Sequence, residues 1–207
     1  MIKISPSILS SNNRIDTIKK LNNTNCEYIH IDTMDGIFVP NKQMDLEEII
    51  LLEQHTTKPL DVHLMTEDPI KYIKHLGNKN IEYITFHLEI NKNINEIINE
   101  IKSLNYKVGI SIKPNTKVNE LIPYLDKIDL VLIMSVEPGF GGQKFIPETL
   151  EKAKAIRKLN KDITIEIDGG INDSNINIIK KHVNIAVVGS YIINNNDYNK
   201  AINNLKN

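Results

Sequence analysis

The sequence predicts an α/β protein built as one (β/α)8 barrel, the TIM-barrel architecture, with residues 1–207 forming a single domain. Three observations lead to this prediction. Short apolar segments rich in β-branched residues alternate with amphipathic segments, eight such pairs follow one another, and no Pro-, Gly- or Ser-rich linker interrupts them. Strict alternation of strand and helix favours parallel strands with helical crossovers, and eight units of about 25 residues can close into a ring.

The eight predicted strands are segments in which apolar and β-branched residues follow one another without helical spacing. They span residues 2–5, 28–31, 60–63, 83–86, 107–112, 130–134, 164–167 and 185–188. An open doubly wound sheet is the alternative, but its first strand is often followed by a Gly-rich fingerprint. Here the first strand is followed by Pro6-Ser7-Ile8-Leu9-Ser10, which favours the closed barrel.

The segments between the strands carry apolar residues three and four positions apart, which places these residues on one face of a helix. The clearest set is Ile94, Ile97, Ile98, Ile101 and Leu104, and another is Leu46, Ile49, Ile50 and Leu51. Asp68 followed by Pro69 predicts a helix start, because proline is tolerated at the first helical position, and Gly77 predicts the end of that helix.

Composition and charge argue against several classes of protein. Hydrophobic residues make up 41% of the chain and charged residues 25%, as in ordinary globular proteins. A net charge of −1 and a pI of about 6.6 give no reason to expect a nucleic acid or a membrane as partner. No apolar run approaches the roughly 20 residues that span a bilayer, and the first residues lack a signal-peptide pattern. Since Cys26 is the only cysteine, we expect an inert, at least half-buried thiol and a cytoplasmic protein.

Polar residues at the carboxyl ends of the predicted strands are candidates for an active site, because barrels of this kind carry their active sites there. Histidines at or beside strand ends are His30, His63 and His87, and those expected at the surface of helical stretches are His55, His75 and His182. His30 and Asp32 are two residues apart on an extended segment, so their side chains point to one face. Because Ile29 and Ile31 then point outward to the helices, this face is the barrel interior.

Four of these polar residues are expected to converge: His30 and Asp32 of the second strand, His63 of the third and Asp168 of the seventh. Two imidazoles and two carboxylates form a donor set that suits a divalent metal ion. The second and seventh strands lie almost opposite each other in the ring, so Asp32 and Asp168 could act on a substrate from two faces. One carboxylate would remove a proton and the other would return one, which inverts a stereocentre. A helix cap or a loop salt bridge is the simpler alternative for each aspartate.

Glycines follow the last three strands. They lie in Ser135-Val136-Glu137-Pro138-Gly139-Phe140-Gly141-Gly142-Gln143-Lys144, in Gly169-Gly170 and in Gly189-Ser190. Glycine lets backbone N–H groups approach an anion closely, and barrels often bind phosphate with the loops after strands seven and eight. We therefore expect a phosphate site at these loops and a mobile lid after strand six, with plain tight turns as the alternative.

Methionines lie near the ends of strands two, three and six, at Met34, Met65 and Met134. Methionine at such positions is most often a core filler. The alternative is a cavity wall, because a thioether excludes water without adding competing hydrogen-bond donors.

The longer motifs resemble those of the ribulose-phosphate 3-epimerase family, in order, from residue 4 to about residue 193. The matching segments are Ser5-Pro6-Ser7-Ile8-Leu9, His30-Ile31-Asp32-Thr33-Met34-Asp35-Gly36 with Phe38-Val39-Pro40-Asn41, Asp61-Val62-His63-Leu64-Met65, Thr85-Phe86-His87-Leu88-Glu89, residues 136–145, Glu166-Ile167-Asp168-Gly169-Gly170-Ile171 and Gly189-Ser190. Members of that family are TIM barrels of the ribulose-phosphate-binding type. They interconvert D-ribulose 5-phosphate and D-xylulose 5-phosphate in the pentose phosphate pathway.

The resemblance implies a metal-dependent epimerisation at C3 of a ketopentose phosphate through an enediolate. One divalent ion, zinc first and iron, manganese or cobalt as alternatives, would be bound by His30, Asp32, His63 and Asp168. Asp32 would accept the proton and Asp168 would donate one, with the roles exchanged in the reverse direction. The residues implied to bind the substrate are Ser7, His63, Gly139, Phe140, Gly141, Gly142, Gly169, Gly170, Gly189 and Ser190. The expected partner is a small sugar phosphate, and we expect a homo-oligomer.

Two segments depart from the family pattern. Lys42-Gln43-Met44-Asp45 stands where the family usually has a short hydrophobic segment with glycine, and Lys113-Pro114-Asn115-Thr116 replaces the more usual Asn-Pro pair after strand five. Neither departure touches a candidate ligand, so both bear on loop shape and subunit contacts rather than on chemistry.

Three other functions compete with this interpretation. An epimerase acting on a six-carbon ketose phosphate such as allulose 6-phosphate stays open, because the length of the pocket at the phosphate end would decide. Decarboxylases and aldol-type synthases that bind ribulose phosphates share an Asp-x-Lys-x-x-Asp segment, and Asp32-Thr33-Met34-Asp35 has no lysine there. A non-catalytic sugar-phosphate sensor is disfavoured because all four candidate ligands are present.

Overall fold

The structure of the protein is a computed structural model that describes residues 1–207. It contains eight parallel strands, numbered β1 to β8 in chain order. They span Lys3–Pro6, Ile29–Asp35, Leu60–Met65, Ile81–His87, Lys107–Ile112, Leu130–Met134, Thr164–Asp168 and Ile185–Val188. The predicted pattern of eight strands is confirmed, and several strands extend beyond their predicted ends.

The strands form one curled sheet in which neighbours along the chain are neighbours in space. From β1 the hydrogen-bonded order runs through β8, β7, β6, β5, β4 and β3 to β2. Backbone hydrogen bonds between the β1 and β2 segments complete the ring. The amide of Glu27 donates to the carbonyl of Ile4 at 3.1 Å, and the amide of Ile8 donates to the carbonyl of His30 at 3.4 Å. The short strand Lys42–Gln43 lies antiparallel to the end of β2. The predicted TIM-barrel fold is therefore confirmed.

Eight α-helices, α1 to α8, span Arg14–Asn22, Leu46–Glu53, Pro69–Leu76, Ile94–Ser103, Leu150–Leu159, Ile176–Ile179, Ser190–Ile193 and Tyr198–Lys206. Asp68 precedes α3 and Pro69 is its first residue, as predicted, although the Asp68 side chain makes no capping hydrogen bond. Gly77 ends this helix with a φ of 54°, a conformation that glycine adopts without strain. None of the helices combines the length and apolar character needed to cross a bilayer.

The prediction of a full helix after every strand is wrong for two crossovers. Between β5 and β6 the chain forms a 3₁₀ helix, Val118–Tyr124, and between β7 and β8 the helix consists only of the four residues of α6. Pro123 lies inside the 3₁₀ helix, and proline in an α-helix lacks the backbone donor and clashes with the carbonyl four residues earlier. The helical stretch after β8 is likewise divided into α7 and α8.

Alternation along the strands separates two layers of buried side chains. On β6, Val131 and Ile133 belong to the large apolar layer between strands and helices. Leu130, Leu132 and Met134 instead belong to a smaller cluster inside the barrel. Near the carboxyl ends of β2, β3 and β7 the inward positions carry polar residues, and these build the candidate site.

Candidate active site

The carboxyl ends of β2, β3 and β7 bring together the four residues expected to converge. Ligand-type atoms of His30, Asp32, His63 and Asp168 all lie within 4.8 Å of one another. Asp32 and His63 are directly opposite in the register of β2 and β3. His30 lies two residues earlier on β2 and therefore faces the same interior. Asp168, the last residue of β7, joins the group from the far side of the ring.

Asp32 lies at the centre of this cluster. Its Oδ1 atom lies 3.3 Å from His30 Nε2 and 3.3 Å from His63 Nδ1. Its Oδ2 atom accepts a hydrogen bond of 2.6 Å from Ser7 Oγ. Burial alone would raise the pKa of Asp32, but the charge of the adjacent His30 holds it well below its usual range. Asp32 is therefore a carboxylate, able to accept a proton.

Asp168 has the opposite electrostatic character. Burial raises the pKa of its carboxyl group to about 7, and the negative charge of Asp32 adds to the rise. Near neutral pH the protonated and ionised forms of Asp168 are therefore both well populated. The two carboxyl groups are thus an acceptor and a possible donor of protons, the division that general acid–base chemistry requires.

A buried carboxylate lies behind His30. The Nδ1–H of His30 donates to Asp61 Oδ2 at 2.7 Å, and Ser5 Oγ donates to the same oxygen at 2.9 Å. Burial would lower the pKa of His30, but Asp61 and then Asp32 raise it well above its usual value. Glu166 lies beside this pair, and burial, followed by the charge of Asp61, raises the pKa of Glu166 well above its usual range.

A second imidazole lies behind His63. The Nε2 atoms of His63 and His87 are 2.9 Å apart, and His87 Nδ1 donates to Glu89 Oε2 at 3.0 Å. Burial lowers the pKa of His87 to about 4, so the ring is neutral at physiological pH. The two histidines of the cluster are therefore backed by different partners.

Sequence reasoning did not single out the supporting carboxyl groups Asp61, Glu166 and Glu89. The spacing of two along a strand contained a signal for the first two, because Asp61 shares a face with His63, and Glu166 shares a face with Asp168. Glu89 lies beyond the end of β4, where strand alternation no longer predicts direction.

The side chains of the cluster fit a divalent cation. Two imidazole nitrogens and two carboxylates are ligands that zinc and other transition metals accept. His30 Nε2 is buried and has no hydrogen-bond partner, although it lies 3.3 Å from Asp32 Oδ1. An unpartnered buried nitrogen is unfavourable unless another group satisfies it. A cation bound among the four side chains would satisfy it.

A cavity of about 620 Å³, including its open mouth, leads down to Asp32 and Asp168. Nine of the ten residues predicted to bind substrate line this cavity: Ser7, Gly139, Phe140, Gly141, Gly142, Gly169, Gly170, Gly189 and Ser190. The tenth, His63, is fully buried and does not belong to the cavity wall.

The cavity has an apolar side and a glycine-rich side. Met34, Met65 and Met134 line it while being almost fully buried, so they are core and wall residues at once. Gly170 has a φ of 65°, and a Cβ atom there would lie 2.3 Å from the amide nitrogen of Phe145. Close packing of the loop after β6 therefore requires this glycine. Helix α7, which follows Gly189, has only four residues, so its dipole is weak.

Together these features define a class of protein, a TIM-barrel enzyme with a metal-type His/Asp cluster at the base of a cavity at the carboxyl ends of its strands. The model of the ribulose-phosphate 3 epimerase family matches residues 3–193. A curated relative in Oryza sativa subsp. japonica, ribulose-phosphate 3-epimerase, cytoplasmic isoform, is 40% identical over 197 residues, 92% of this chain and 86% of the relative. Ribulose-phosphate 3-epimerase of Bacillus subtilis strain 168 is 37% identical over 214 residues, 100% of this chain and 99% of the relative. The chain belongs to the ribulose-phosphate 3-epimerase family and is an epimerase, an enzyme of the isomerase class.

Solved structures of lower sequence identity share the fold. KGPDC from Streptococcus mutans matches with a TM-score of 0.73 at 14% identity, over 100% of this chain and 96% of that one. A 3-hexulose-6-phosphate synthase matches with a TM-score of 0.72 at 15% identity, over 99% of this chain and 97% of that one. At this level of identity the likeness establishes the barrel and carries no information on activity.

Proposed function

We propose that the chain interconverts D-ribulose 5-phosphate and D-xylulose 5-phosphate by epimerisation at C3, a step of the pentose phosphate pathway. The observation that carries this proposal is the meeting of Asp32 and Asp168 with two imidazoles within 4.8 Å at the base of the cavity. Relatives named ribulose-phosphate 3-epimerase, at 37% and 40% identity, support the choice of substrate.

His30, Asp32, His63 and Asp168 would hold one divalent cation, with zinc the first choice and iron, manganese or cobalt as alternatives. When bound, such a cation supplies Lewis-acid stabilisation of negative charge. The contribution of the chain is to fix the four side chains on three strands of a rigid sheet and to enclose them beneath an apolar cavity wall.

Proton transfer would then be shared between two carboxyl groups. Asp32, held by the hydroxyl of Ser7 at 2.6 Å, takes the proton from C3, which the neighbouring C2 ketone makes acidic. The electron pair left on C3 delocalises towards the ketone oxygen and gives an enediolate. Asp168, with its pKa raised to about 7, returns a proton to the opposite face of C3, so that the stereocentre inverts. In the reverse direction the two residues exchange roles.

The cavity wall supplies candidates for holding the substrate. The residues proposed to contact the sugar or its phosphate are Ser7, Gly139, Phe140, Gly141, Gly142, Gly169, Gly170, Gly189 and Ser190. The ring of Phe140 is 54% exposed at the mouth, and we propose that its loop closes over bound substrate and excludes water. Residues 1–207 acting as one domain, a homo-oligomeric assembly and a cytoplasmic location are further proposals.

Turnover measurements on two substrates test this function. The experiment compares kcat/KM for D-ribulose 5-phosphate and allulose 6-phosphate, using protein as purified, chelator-treated protein, and treated protein resupplied with Zn²⁺, Fe²⁺, Mn²⁺ or Co²⁺. We expect a preference for the pentulose, loss of activity on chelation and recovery with at least one ion. A strong preference for the hexulose would contradict the substrate, and full activity after verified metal removal would contradict the metal site.

A further inference from the structure

Close polar contacts form a continuous chain from Asp32 through His63 and His87 to Glu89. His63 Nδ1 lies 3.3 Å from Asp32 Oδ1, His63 Nε2 lies 2.9 Å from His87 Nε2, and His87 Nδ1 lies 3.0 Å from Glu89 Oε2. Both imidazoles are fully buried. Each ring nitrogen in this chain therefore has one defined neighbour and no access to water.

Glu89 is fixed at the outer end of the chain. Its Oε1 atom accepts hydrogen bonds from the backbone N–H of Lys113, at 2.7 Å, and from the hydroxyl of Thr116. Two donors on Oε1 leave Oε2 as the atom that faces His87. The ring of Phe38 packs against His87 with centroids 4.7 Å apart, which limits rotation of the imidazole. The carboxylate and the ring it faces are thus both held in one orientation.

The direction of each hydrogen bond follows from the two ends of the chain. An ionised carboxylate only accepts, so His87 Nδ1 carries a hydrogen and donates to Glu89. At the other end, His63 Nδ1 is the nitrogen that faces the four-residue cluster, and a nitrogen that binds a cation carries no hydrogen. The hydrogen of His63 then lies on Nε2, which donates to the bare Nε2 of His87 at 2.9 Å.

We propose that Glu89 and His87 are positioning residues that hold His63 as the Nε2–H tautomer, so that Nδ1 is its metal-binding atom. The inference rests on the proposed metal site and names the residues that orient one of its ligands. A histidine can bind a metal ion only through an unprotonated nitrogen, so a chain that fixes the tautomer removes a competing form of the free site.

The tautomer of His63 can be measured directly in the unsubstituted full-length protein. Imidazole ¹⁵N shifts and two-bond ¹H–¹⁵N couplings, recorded at neutral pH on metal-free protein, distinguish Nδ1–H from Nε2–H. The expected result is Nε2–H for His63 and Nδ1–H for His87. Nδ1–H on His63 would overturn the inference without any substitution.

Glu89→Gln should reverse the chain while keeping the size of the side chain. The amide oxygen of Gln would keep the bonds from Lys113 and Thr116, and its NH₂ group would then face His87 Nδ1. His87 would have to accept at Nδ1 and donate from Nε2, which forces the hydrogen of His63 onto Nδ1. We expect the His63 tautomer to switch and the affinity for Zn²⁺, measured by competition with a chromophoric chelator, to fall by roughly 10- to 100-fold.

The matched control is Glu82→Gln, a carboxylate-to-amide change near the start of β4, the strand that ends at His87. Glu82 pairs with Lys107 Nζ at 2.6 Å, away from the histidines, and its substitution should leave Zn²⁺ affinity and the His63 tautomer unchanged. If the unsubstituted protein binds Zn²⁺ and Glu89→Gln binds it with the same affinity, this inference alone is overturned. Absence of zinc binding in the unsubstituted protein would instead overturn the metal site of the proposed function.

Discussion

The two histidines of the cluster, His30 and His63, are equally buried but are supported in different ways. His30 is held by Asp61 directly, through a 2.7 Å hydrogen bond sealed inside the barrel. His63 is held through His87, and the carboxylate that ends this chain, Glu89, has a side chain 20% exposed near the rim. One support is therefore built within the strands, whereas the other depends on a loop.

Strand register explains the difference. His30 pairs with Asp61 in the sheet, one layer below the pair formed by Asp32 and His63. The far nitrogen of His30 therefore meets a side chain from the adjacent strand in the deeper layer. His63 lies in the upper layer, so its far nitrogen reaches His87 at the end of the next strand. The comparison predicts that damage to the inner support costs stability, whereas damage to the outer support mainly costs metal affinity.

The largest effect is expected for a change in the four-residue cluster itself, at Asp168. Asp168→Asn replaces the proposed proton donor with a group of the same size, and kcat should fall by about 1,000-fold or more. Circular dichroism and the melting temperature should stay close to those of the unsubstituted protein. Activity within tenfold of normal would mean that the acid–base pair is misassigned.

The second-largest effect is expected from acidification, which acts on His87 in the outer support. Burial lowers the pKa of His87 to about 4, compared with about 6.5 for a histidine in an unfolded chain. Between these two pH values the unfolded chain binds a proton that the folded chain does not, so stability falls as pH decreases from about 6.5 to 4. The loss from this group would be at most about 3 kcal/mol.

Urea unfolding of metal-free protein at pH 7 and pH 4.5 measures this loss. His87→Phe removes the titrating ring and should show a smaller decrease in the free energy of unfolding over the same interval. Equal decreases in the two proteins would contradict a buried neutral His87.

The inner support should respond to Asp61→Asn. This change weakens the charge-assisted hydrogen bond to His30, and we expect the free energy of unfolding of metal-free protein at neutral pH to fall by about 2 kcal/mol. Glu89→Gln, which changes the partly exposed outer support, should lower the free energy of unfolding less. A similar loss in both variants would remove the proposed distinction between the two supports.

The smallest effect is expected for a change outside both supports. Cys26 is buried in the apolar layer between strands and helices, and burial raises the pKa of its thiol, as expected for an unreactive cysteine. Cys26→Ala should lower the free energy of unfolding by about 1 kcal/mol and leave kcat and Zn²⁺ affinity unchanged. Loss of activity on this substitution would indicate a role that neither support explains.

Local periodicity was sufficient to predict most of the fold. Runs of β-branched residues identified all eight strands, and the spacing of two placed His30 and Asp32 on the inner face. The crossover with Pro123 departed from the prediction because one proline outweighs the helical spacing around it. Lys42–Gln43, part of a segment that departs from the family pattern, forms a short strand that pairs with the end of β2.

The supports of the site were harder to predict because they depend on pairing between strands. The sequence places Asp61 on the inward face of its strand, but only the register shows that it lies opposite His30. Glu89 is oriented by Lys113 and Thr116, which are more than 20 residues away along the chain. Sequence spacing gives the face of a strand, but the layer within the barrel follows only from the assembled sheet.

Solvent deuterium exchange tests the central claim most directly. D-ribulose 5-phosphate is turned over in D₂O by the metal-loaded protein, and the recovered sugar phosphates are analysed by NMR at each carbon. Two carboxyl groups that remove and return a proton predict deuterium at C3 of the D-xylulose 5-phosphate formed and no label at C4 or C5. D-xylulose 5-phosphate formed with only protium at C3 would contradict proton exchange through Asp32 and Asp168.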